Sequence, residues 1–279
     1  MPSVGSSILK TILTASKPPV RPAINPASSR MTQYNILITS DVVCPWCYIG
    51  HTRLSKAIST HKTKFPDDTF SLKYIPYYLN PAAQVTDPNL PAFPVPSSNK
   101  RAYYAQKFGP QQGKAIEARL IHAAAQDGLT FSFGGNTGPS RNAHRLVYYA
   151  QSHGGETAQN DVMLGLWRRY YEREVDITLL DVLVEVGVEA GLGSAEEVRE
   201  YLVSGRDAAK VDQLAEEQRR EGISGVPNYV IQDQWEVSGA QEPRVFEGLF
   251  LKWKEWEKNG QAASTESAKP EEKGSGACL

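Results

Sequence analysis

The sequence NILITSDVVCPWCY, residues 35–48, decides the fold because it joins an apolar, β-branched run to a closely spaced pair of cysteines. The residues after the pair have the pattern of a helix, so Cys44 falls where a strand passes into a helix N-terminus. Pro45 then occupies the first helical position, where its missing N–H is not needed. The free amides of the first turn and the helix dipole favour the thiolate of Cys44. Cys47 follows one turn later, within disulfide reach, so we predict that Cys44 attacks and Cys47 resolves.

A CxxC pair also occurs in zinc sites and as thiols with only a structural role. A structural zinc site needs four ligands, whereas the only other cysteine is Cys278, next to the C-terminal residue. His51 lies four residues after Cys47 and supplies only a third ligand. Because a CxxC pair between a strand and a helix is typical of thioredoxin-like proteins, we expect a redox centre and no metal.

A second motif lies far downstream, where Gly222-Ile223-Ser224-Gly225-Val226-Pro227 precedes the apolar run 228–231. A proline that opens a strand cannot donate a hydrogen bond to the sheet and is confined to special positions. Thioredoxin-fold proteins place such a proline beside the CxxC pair. We therefore predict a cis Val226–Pro227 bond next to Cys44, with the Val226 backbone free to pair with substrate. A plain loop proline between a helix and a strand is the alternative.

Five motifs, in one order, resemble a known family. They are Ser40-Asp41 with residues 44–50, Leu79-Asn80-Pro81, Ala143-His144-Arg145-Leu146, residues 222–227, and Ser238-Gly239-Ala240-Gln241. Across residues 34–256 the chain resembles DsbA-like thioredoxin-fold oxidoreductases of the FrnE type, relatives of kappa-class glutathione transferases and 2-hydroxychromene-2-carboxylate isomerases. Those relatives usually carry a serine at the position of Cys44. Two cysteines here favour dithiol exchange over glutathione transfer or isomerisation.

The resemblance implies substrate contacts for individual residues. These are Pro45, Trp46, Val226, Pro227 and His144. As a lone histidine on a helix, His144 also fits a packing or hydrogen-bonding role. The family commonly has Asn-Thr shortly before its Ala-His-Arg, but this chain has Pro139-Ser140 there, with Asn136-Thr137 displaced upstream. The contribution of that pair is therefore open.

The patterning predicts an α/β fold, a thioredoxin-like fold with an inserted helical domain as in DsbA. The thioredoxin-like part comprises residues 34–97 and 206–258, with strands 34–40, 70–78, 228–232 and 235–238 and helices 45–62 and 242–257. The inserted domain is 98–205, and the helical stretches 99–108, 111–127, 142–153, 157–174, 179–190, 195–203 and 207–221 end near glycines. Ser194 to Glu197 form a capping box. Leu164, Trp167, Tyr170 and Tyr171 lie at helical spacing, and this stripe is predicted to be core, with a groove lining as the alternative.

The two ends of the sequence differ from its middle. Residues 1–33 are basic, serine-rich and free of acidic residues, which fits either a flexible leader or, through residues 1–30, a mitochondrial presequence. Residues 259–279 are rich in Ser, Ala, Lys, Glu and Gly and are predicted to be disordered. The expected location is the cytoplasm, with the mitochondrial matrix as the alternative.

Composition limits the function further. A net charge of −1 gives no electrostatic case for nucleic acid or an anionic membrane, and no apolar stretch approaches the roughly 18 residues of a membrane span. We expect a thiol–disulfide oxidoreductase that acts on a protein or small-molecule thiol or disulfide, without a cofactor unless glutathione is a co-substrate. A homodimer is a further expectation. The alternatives are a glutathione-dependent transferase or isomerase for a hydrophobic small molecule, and a non-catalytic binding or holdase protein.

Overall fold

The computed structural model describes residues 31–84 and 91–266, and β-strands form the centre of this part of the chain. The described strands are β1 (Gln33–Ser40), β2 (Thr69–Pro76), β3 (Ser98–Asn99), β4 (Asn136–Thr137), β5 (Asn228–Ile231) and β6 (Trp235–Ser238). Four of them form the main sheet in the order β2-β1-β5-β6. β1 pairs parallel with β2 and antiparallel with β5, while β5 pairs antiparallel with β6. The two short strands β3 and β4 form a separate antiparallel pair.

Helices cover the sheet and fill the long connection between β2 and β5. They are α1 (Pro45–Lys64), α2 (Lys100–Phe108), α3 (Pro110–Gln126), α4 (Arg141–Trp167), α5 (Leu180–Glu189), α6 (Ala195–Val203), α7 (Ala208–Arg220) and α8 (Pro243–Glu266). The structure therefore has the predicted fold, a thioredoxin-like sheet with a helical insertion. The division of the chain at residues 98 and 205 into two domains stays a prediction.

β1 lies inside the sheet because it is paired along both edges. Its side chains at Tyr34, Ile36 and Ile38 are buried, which is the alternation that its sequence predicts for one face. After Ser40 the chain turns through four residues, the last of which is Cys44, and enters α1 at Pro45. The C-terminal edge of β1 therefore delivers the CxxC pair to the end of the sheet.

Helix α4 was predicted as two helices, 142–153 and 157–174, and it does consist of two helical parts. They meet at Gly155, whose φ of 67° and ψ of −155° are not helical and whose positive φ favours glycine, and after Trp167 the chain continues as a π-helical turn over Arg168–Glu172. The capping box is present as predicted, since Ser194 accepts from the Glu197 amide and the Glu197 carboxylate accepts from the Ser194 amide. A 3₁₀ turn at Pro81–Ala83 lies in the proline-dense segment where no regular structure was expected.

The predictions for the two ends of the chain can be compared with the structure only in part. Residues 1–30 of the predicted leader (1–33) and residues 267–279 of the predicted tail (259–279) lie outside the described residues. Helix α8 continues to Glu266, beyond residue 258, where the thioredoxin-like part was predicted to end. Within residues 31–84 and 91–266, none of the helices combines the length and the apolar character that crossing a bilayer requires.

Candidate active site

Cys44 is the N-cap of α1, and Pro45 is the first residue of that helix, as the sequence predicts. The backbone of Cys44 is extended, with φ −90° and ψ 116°, and its amide donates to the Asp41 carbonyl at 3.0 Å. The Cys47 amide donates to the Cys44 carbonyl at 3.1 Å. The two thiols, both free, therefore lie one helical turn apart at the C-terminal end of β1.

The proline loop lies directly against the first thiol. The Val226–Pro227 bond is cis, and the Cys44 thiol donates to the Val226 carbonyl oxygen at 3.4 Å. The sequence predicted instead that the sulfur would face the amides of the first turn, but the Cys44 side chain makes no capping hydrogen bond. The Cys44 thiol meets the Val226 carbonyl instead. Because Val226 lies 182 residues further along the chain, the spacing of the sequence does not predict this contact.

A cleft of about 750 Å³ opens beside Cys44, and we call it the Cys44 cleft. Four of the seven predicted site residues line it: Cys44, Pro45, Trp46 and Val226. The opposite wall comes from α2 and α3 and includes Tyr103, Tyr104, Lys107, Phe108 and Arg119. The other predicted residues, Cys47, Pro227 and His144, lie within the described part of the chain but do not line this cleft.

Cys47 lies behind Cys44, with 2% of its surface exposed. Burial raises the pKa of the Cys47 thiol well above its usual range, and hydrogen bonding with the Cys44 thiol adds to the increase. The Ser40 hydroxyl and the Asp41 amide act in the opposite direction because they stabilise the thiolate, but burial dominates. Cys47 is therefore held as a thiol behind the sulfur that faces the cleft.

His144 contacts the loop before Cys44 and not the thiol itself. Its Nε2 atom is 3.1 Å from Oδ1 of Asp41, and both side chains are buried. The same carboxylate accepts from the Val43 amide at 3.3 Å and from the Leu79 amide at 2.9 Å. Three of the motifs that define the resemblance thus meet at one carboxylate. This geometry makes His144 a positioning residue for the redox loop.

Arg145, the next residue of that motif, stabilises the inserted helices. Its fully buried guanidinium donates to the carbonyls of Tyr201 at 3.0 Å, Leu202 at 2.9 Å and Arg206 at 2.8 Å. Two of these carbonyls belong to the last turn of α6, where helix geometry leaves carbonyls without a partner. Arg145 therefore satisfies the C-terminal end of α6 from the side of α4.

Aromatic side chains of the insertion pack against the buried side of α1. The Tyr48 ring stacks on Trp167 with centroids 5.4 Å apart, and its hydroxyl donates to Glu172 at 2.7 Å. Trp167 and Tyr171 are fully buried, so most of the predicted stripe is core, while Tyr170 also lines the Cys44 cleft.

His51, the histidine near the cysteine pair, contacts Tyr74. Nδ1 of His51 is 2.7 Å from the Tyr74 hydroxyl, and burial lowers the pKa of His51 to about 4, which keeps the ring neutral. Across residues 31–84 and 91–266, histidine, cysteine and carboxylate side chains do not gather in threes that could hold a metal ion.

Sequence reasoning missed the wall formed by α2 and α3. Tyr103, Tyr104 and Lys107 are ordinary residues on a short helix, and the sequence contains no signal that this helix faces Cys44. Ser40 and Asp41 were noticed as part of a motif, but the contact between Asp41 and His144 depends on packing between segments 103 residues apart.

Comparison with known proteins agrees with this geometry. The model of the DSBA-like thioredoxin domain matches residues 35–250. The chain is similar to the structure of a probable DsbA oxidoreductase from Streptomyces coelicolor, with 27% identity, a TM-score of 0.66, and coverage of 78% of this chain and 89% of that one. None of the curated proteins matches the chain.

Two further structures have lower identity and support the fold alone. A 2-hydroxychromene-2-carboxylate isomerase has 15% identity and a TM-score of 0.55, with coverage of 82% of this chain and 98% of that one. The cytosolic disulfide reductase DsbM from Pseudomonas aeruginosa, determined with GSH, has 15% identity and a TM-score of 0.51, with coverage of 78% and 98%. Because the family model spans most of the sequence and the thioredoxin-like sheet carries the CxxC pair at the expected place, the chain belongs to the DSBA-like thioredoxin domain family.

Proposed function

We propose that this chain is a thiol–disulfide oxidoreductase that works through Cys44 and Cys47. The Cys44 thiolate attacks a substrate disulfide, forms a mixed disulfide and expels one substrate thiolate. Cys47 then attacks the Cys44 sulfur, which closes the Cys44–Cys47 disulfide and releases the second substrate thiol. The substrate gains two electrons and the CxxC pair loses them, and the reverse sequence oxidises a dithiol.

One observation carries this proposal: Cys44 lines the cleft and Cys47 does not, while both residues are almost fully buried, with 3% and 2% of their surface exposed. The attacking thiol must reach the substrate sulfur, whereas the resolving thiol must reach only the sulfur of the attacking cysteine. Cys44 is placed for the first task and Cys47 for the second. The roles follow from access and do not depend on which redox direction prevails in the cell.

The proline loop supports the same reading of the site. The Val226 carbonyl, which now accepts from the Cys44 thiol, becomes available when Cys44 enters a mixed disulfide. We propose that it then accepts a backbone N–H of the bound substrate, while Pro45 and Trp46 contact the substrate from the helix side.

The test is to trap the mixed disulfide in a Cys278→Ser background, which removes the third cysteine. Cys47→Ser should accumulate a covalent adduct with its substrate, since resolution is blocked, and mass spectrometry of the adduct identifies the partner. Cys44→Ser is the matched control and should form no adduct. If Cys47→Ser yields no adduct and both variants retain the wild-type effect in cells, the chain acts by binding alone.

Glutathione is the co-substrate that the cleft favours, which makes a glutathione-dependent transferase or isomerase the second candidate. Lys107 and Arg119 line the cleft and offer two cations to the carboxylates of the tripeptide. The DsbM structure was determined with GSH. Glutathione-saturable conjugation of an electrophile, with a KM that rises in Lys107→Ala and Arg119→Ala, would support this candidate; a rate without saturation would exclude it.

Three finer points complete the proposal. The order of the five motifs favours the FrnE type within the family. Location in the cytoplasm, or in the mitochondrial matrix, would place the protein in a reducing compartment, where reduction or isomerisation of disulfides is favoured over disulfide donation. Light scattering of the purified chain tests the expected homodimer, and a monomer mass at all concentrations would contradict it.

A further inference from the structure

A second cavity lies between β2, α4 and α7, and we call it the rear cavity. Its volume is about 300 Å³, and none of its lining residues also lines the Cys44 cleft. At about 30 Å³ for each water molecule, it has the room of about ten waters, which is the lower end of the range for ligand pockets. The rear cavity is therefore large enough for a small molecule that does not occupy the Cys44 cleft.

Apolar side chains from three elements form much of the lining of the rear cavity. They are Ile75 and Pro76 of β2, Val147 and Met163 of α4, and Leu214 of α7. Water forms few hydrogen bonds against such walls, so an apolar group that replaces it there is stabilised by the hydrophobic effect. The cavity therefore suits a ligand with an apolar body.

Two lysines also line the rear cavity, Lys73 of β2 and Lys210 of α7, and both are exposed. Within the described residues neither lysine forms an ion pair, and none of the lining residues carries a carboxylate. Lys210 is the third residue of α7, where the positive end of the helix dipole adds to its charge. The solvent side of the cavity therefore favours an anionic group.

We propose that the rear cavity binds a small carboxylate with an apolar body. The apolar body would lie against Val147, Met163 and Leu214, and the carboxylate would lie between Lys73 and Lys210. A purely apolar molecule would leave the two lysines without a counter-ion, and an inorganic anion would leave the apolar walls in contact with water. The site does not depend on the proposed exchange function, because it shares no residue with the Cys44 cleft.

His144 connects the rear cavity to the redox loop. Its ring lines the cavity, while its Nε2 atom lies 3.1 Å from Oδ1 of Asp41. The Asp41 carboxylate accepts from the amides of Val43 and Leu79. A ligand packed beside the His144 ring restrains these contacts, so the two amides should report on occupancy of the cavity.

The first test measures binding of 3-phenylpropionate, with 3-phenylpropanol as its uncharged analogue, to the full chain by calorimetry. We expect the carboxylate to bind with a Kd below about 1 mM, which is within reach of a ligand of about ten atoms. The Lys73→Met/Lys210→Met double variant should weaken its binding about tenfold, at about threefold for each partly exposed ion pair. The alcohol should bind about as weakly to the parent as the carboxylate binds to the double variant. Lys114→Met removes an exposed lysine that lines neither cavity and is the matched control.

A second variant fills the cavity. Leu214→Trp places a large ring at a lining residue and should abolish binding, whereas Gln213→Trp, at an exposed position of the same helix, should not. Thermal unfolding checks that both variants fold. No binding to the parent at about 10 mM, or equal affinity for the acid and the alcohol, would overturn the proposal, because about two decades of affinity below the expected Kd or a missing charge effect leaves no carboxylate site. So would an affinity that falls in Lys107→Met but not in the double lysine variant, since the carboxylate would then lie in the Cys44 cleft.

Amide hydrogen exchange tests the connection through His144. At about nine times its Kd, the carboxylate should slow exchange of the Val43 and Leu79 amides by up to about tenfold, because local opening then requires its release. The Val237 amide on β6 is the control and should change less. Unchanged exchange at both loop amides with the ligand bound would overturn the connection. The adduct experiment with Cys47→Ser decides the proposed exchange function separately, since it does not involve the rear cavity.

Discussion

Replacement of Lys100 by methionine should change how the stability of the protein depends on pH. Lys100 opens α2 beside the cleft wall and is 1% exposed. Its ammonium donates to the Tyr170 carbonyl at 2.8 Å and lies 3.6 Å from the centroid of the Tyr170 ring. Burial lowers the pKa of Lys100 to about 8, against the smaller opposing effect of Glu174. The folded protein therefore holds a charged lysine that burial disfavours at neutral pH.

The size of the effect follows from this pKa. Because the pKa of Lys100 is lower in the folded state, the unfolded state binds more protons between about pH 8 and the ordinary lysine value, so the free energy of unfolding rises with pH there. At about 1.4 kcal/mol per pKa unit the full gain is about 3 kcal/mol. The cation–π contact favours the charged form by about 0.5–2 kcal/mol, which reduces the expected gain to about 1–3 kcal/mol.

The assay is urea unfolding of the wild type and Lys100→Met at several pH values from about 7 to about 10, where the lysine titrates. The stability of the wild type relative to the variant should rise by the stated amount, since the two proteins share every other titrating group. Lys107→Met removes an exposed lysine of the same helix, and its difference from the wild type should stay flat. A flat or falling difference for Lys100→Met would refute the reasoning that burial controls this lysine.

Further predictions concern other buried contacts. In Gly50→Ala the new Cβ would lie 3.0 Å from a Pro227 ring carbon and nearer still to the Tyr229 hydroxyl. We therefore expect the free energy of unfolding, measured by thermal unfolding, to fall by about 1–3 kcal/mol. Gly225→Ala is the control, because its Cβ meets no described atom within 4 Å. Arg145→Met should lower the free energy of unfolding by about 3 kcal/mol or more, because buried carbonyls lose their hydrogen-bond donor. A loss under about 1 kcal/mol in urea unfolding would contradict this prediction.

The sequence predicted the redox strand and helix well because local rules govern both. β1 shows the alternation of a half-buried strand, and Pro45 begins α1 where its geometry is favourable. Helix ends near glycines were likewise predicted to within a few residues. The predicted break between the helices 142–153 and 157–174 is also present, because the positive φ of Gly155 interrupts α4 there.

The candidate site was predicted only in its parts that are adjacent in sequence. The CxxC pair and the cis proline are motif features, whereas the direction of the Cys44 thiol depends on a carbonyl 182 residues away. The contact between His144 and Asp41 spans 103 residues. Such contacts form because the insertion packs on the sheet, and no spacing in the sequence encodes them.

Asp41 connects the reactivity of the redox loop to the stability of the inserted helices. Its carboxylate receives one contact from α4 and one from the segment after β2, so the loop keeps its shape only while both segments are packed. Local opening of α4 would remove one of these two contacts from the loop. Under the proposed function, substitutions in α4 can therefore change the rate of thiol–disulfide exchange while both cysteines stay the same, so the helical insertion is a means of adjusting the cysteine pair.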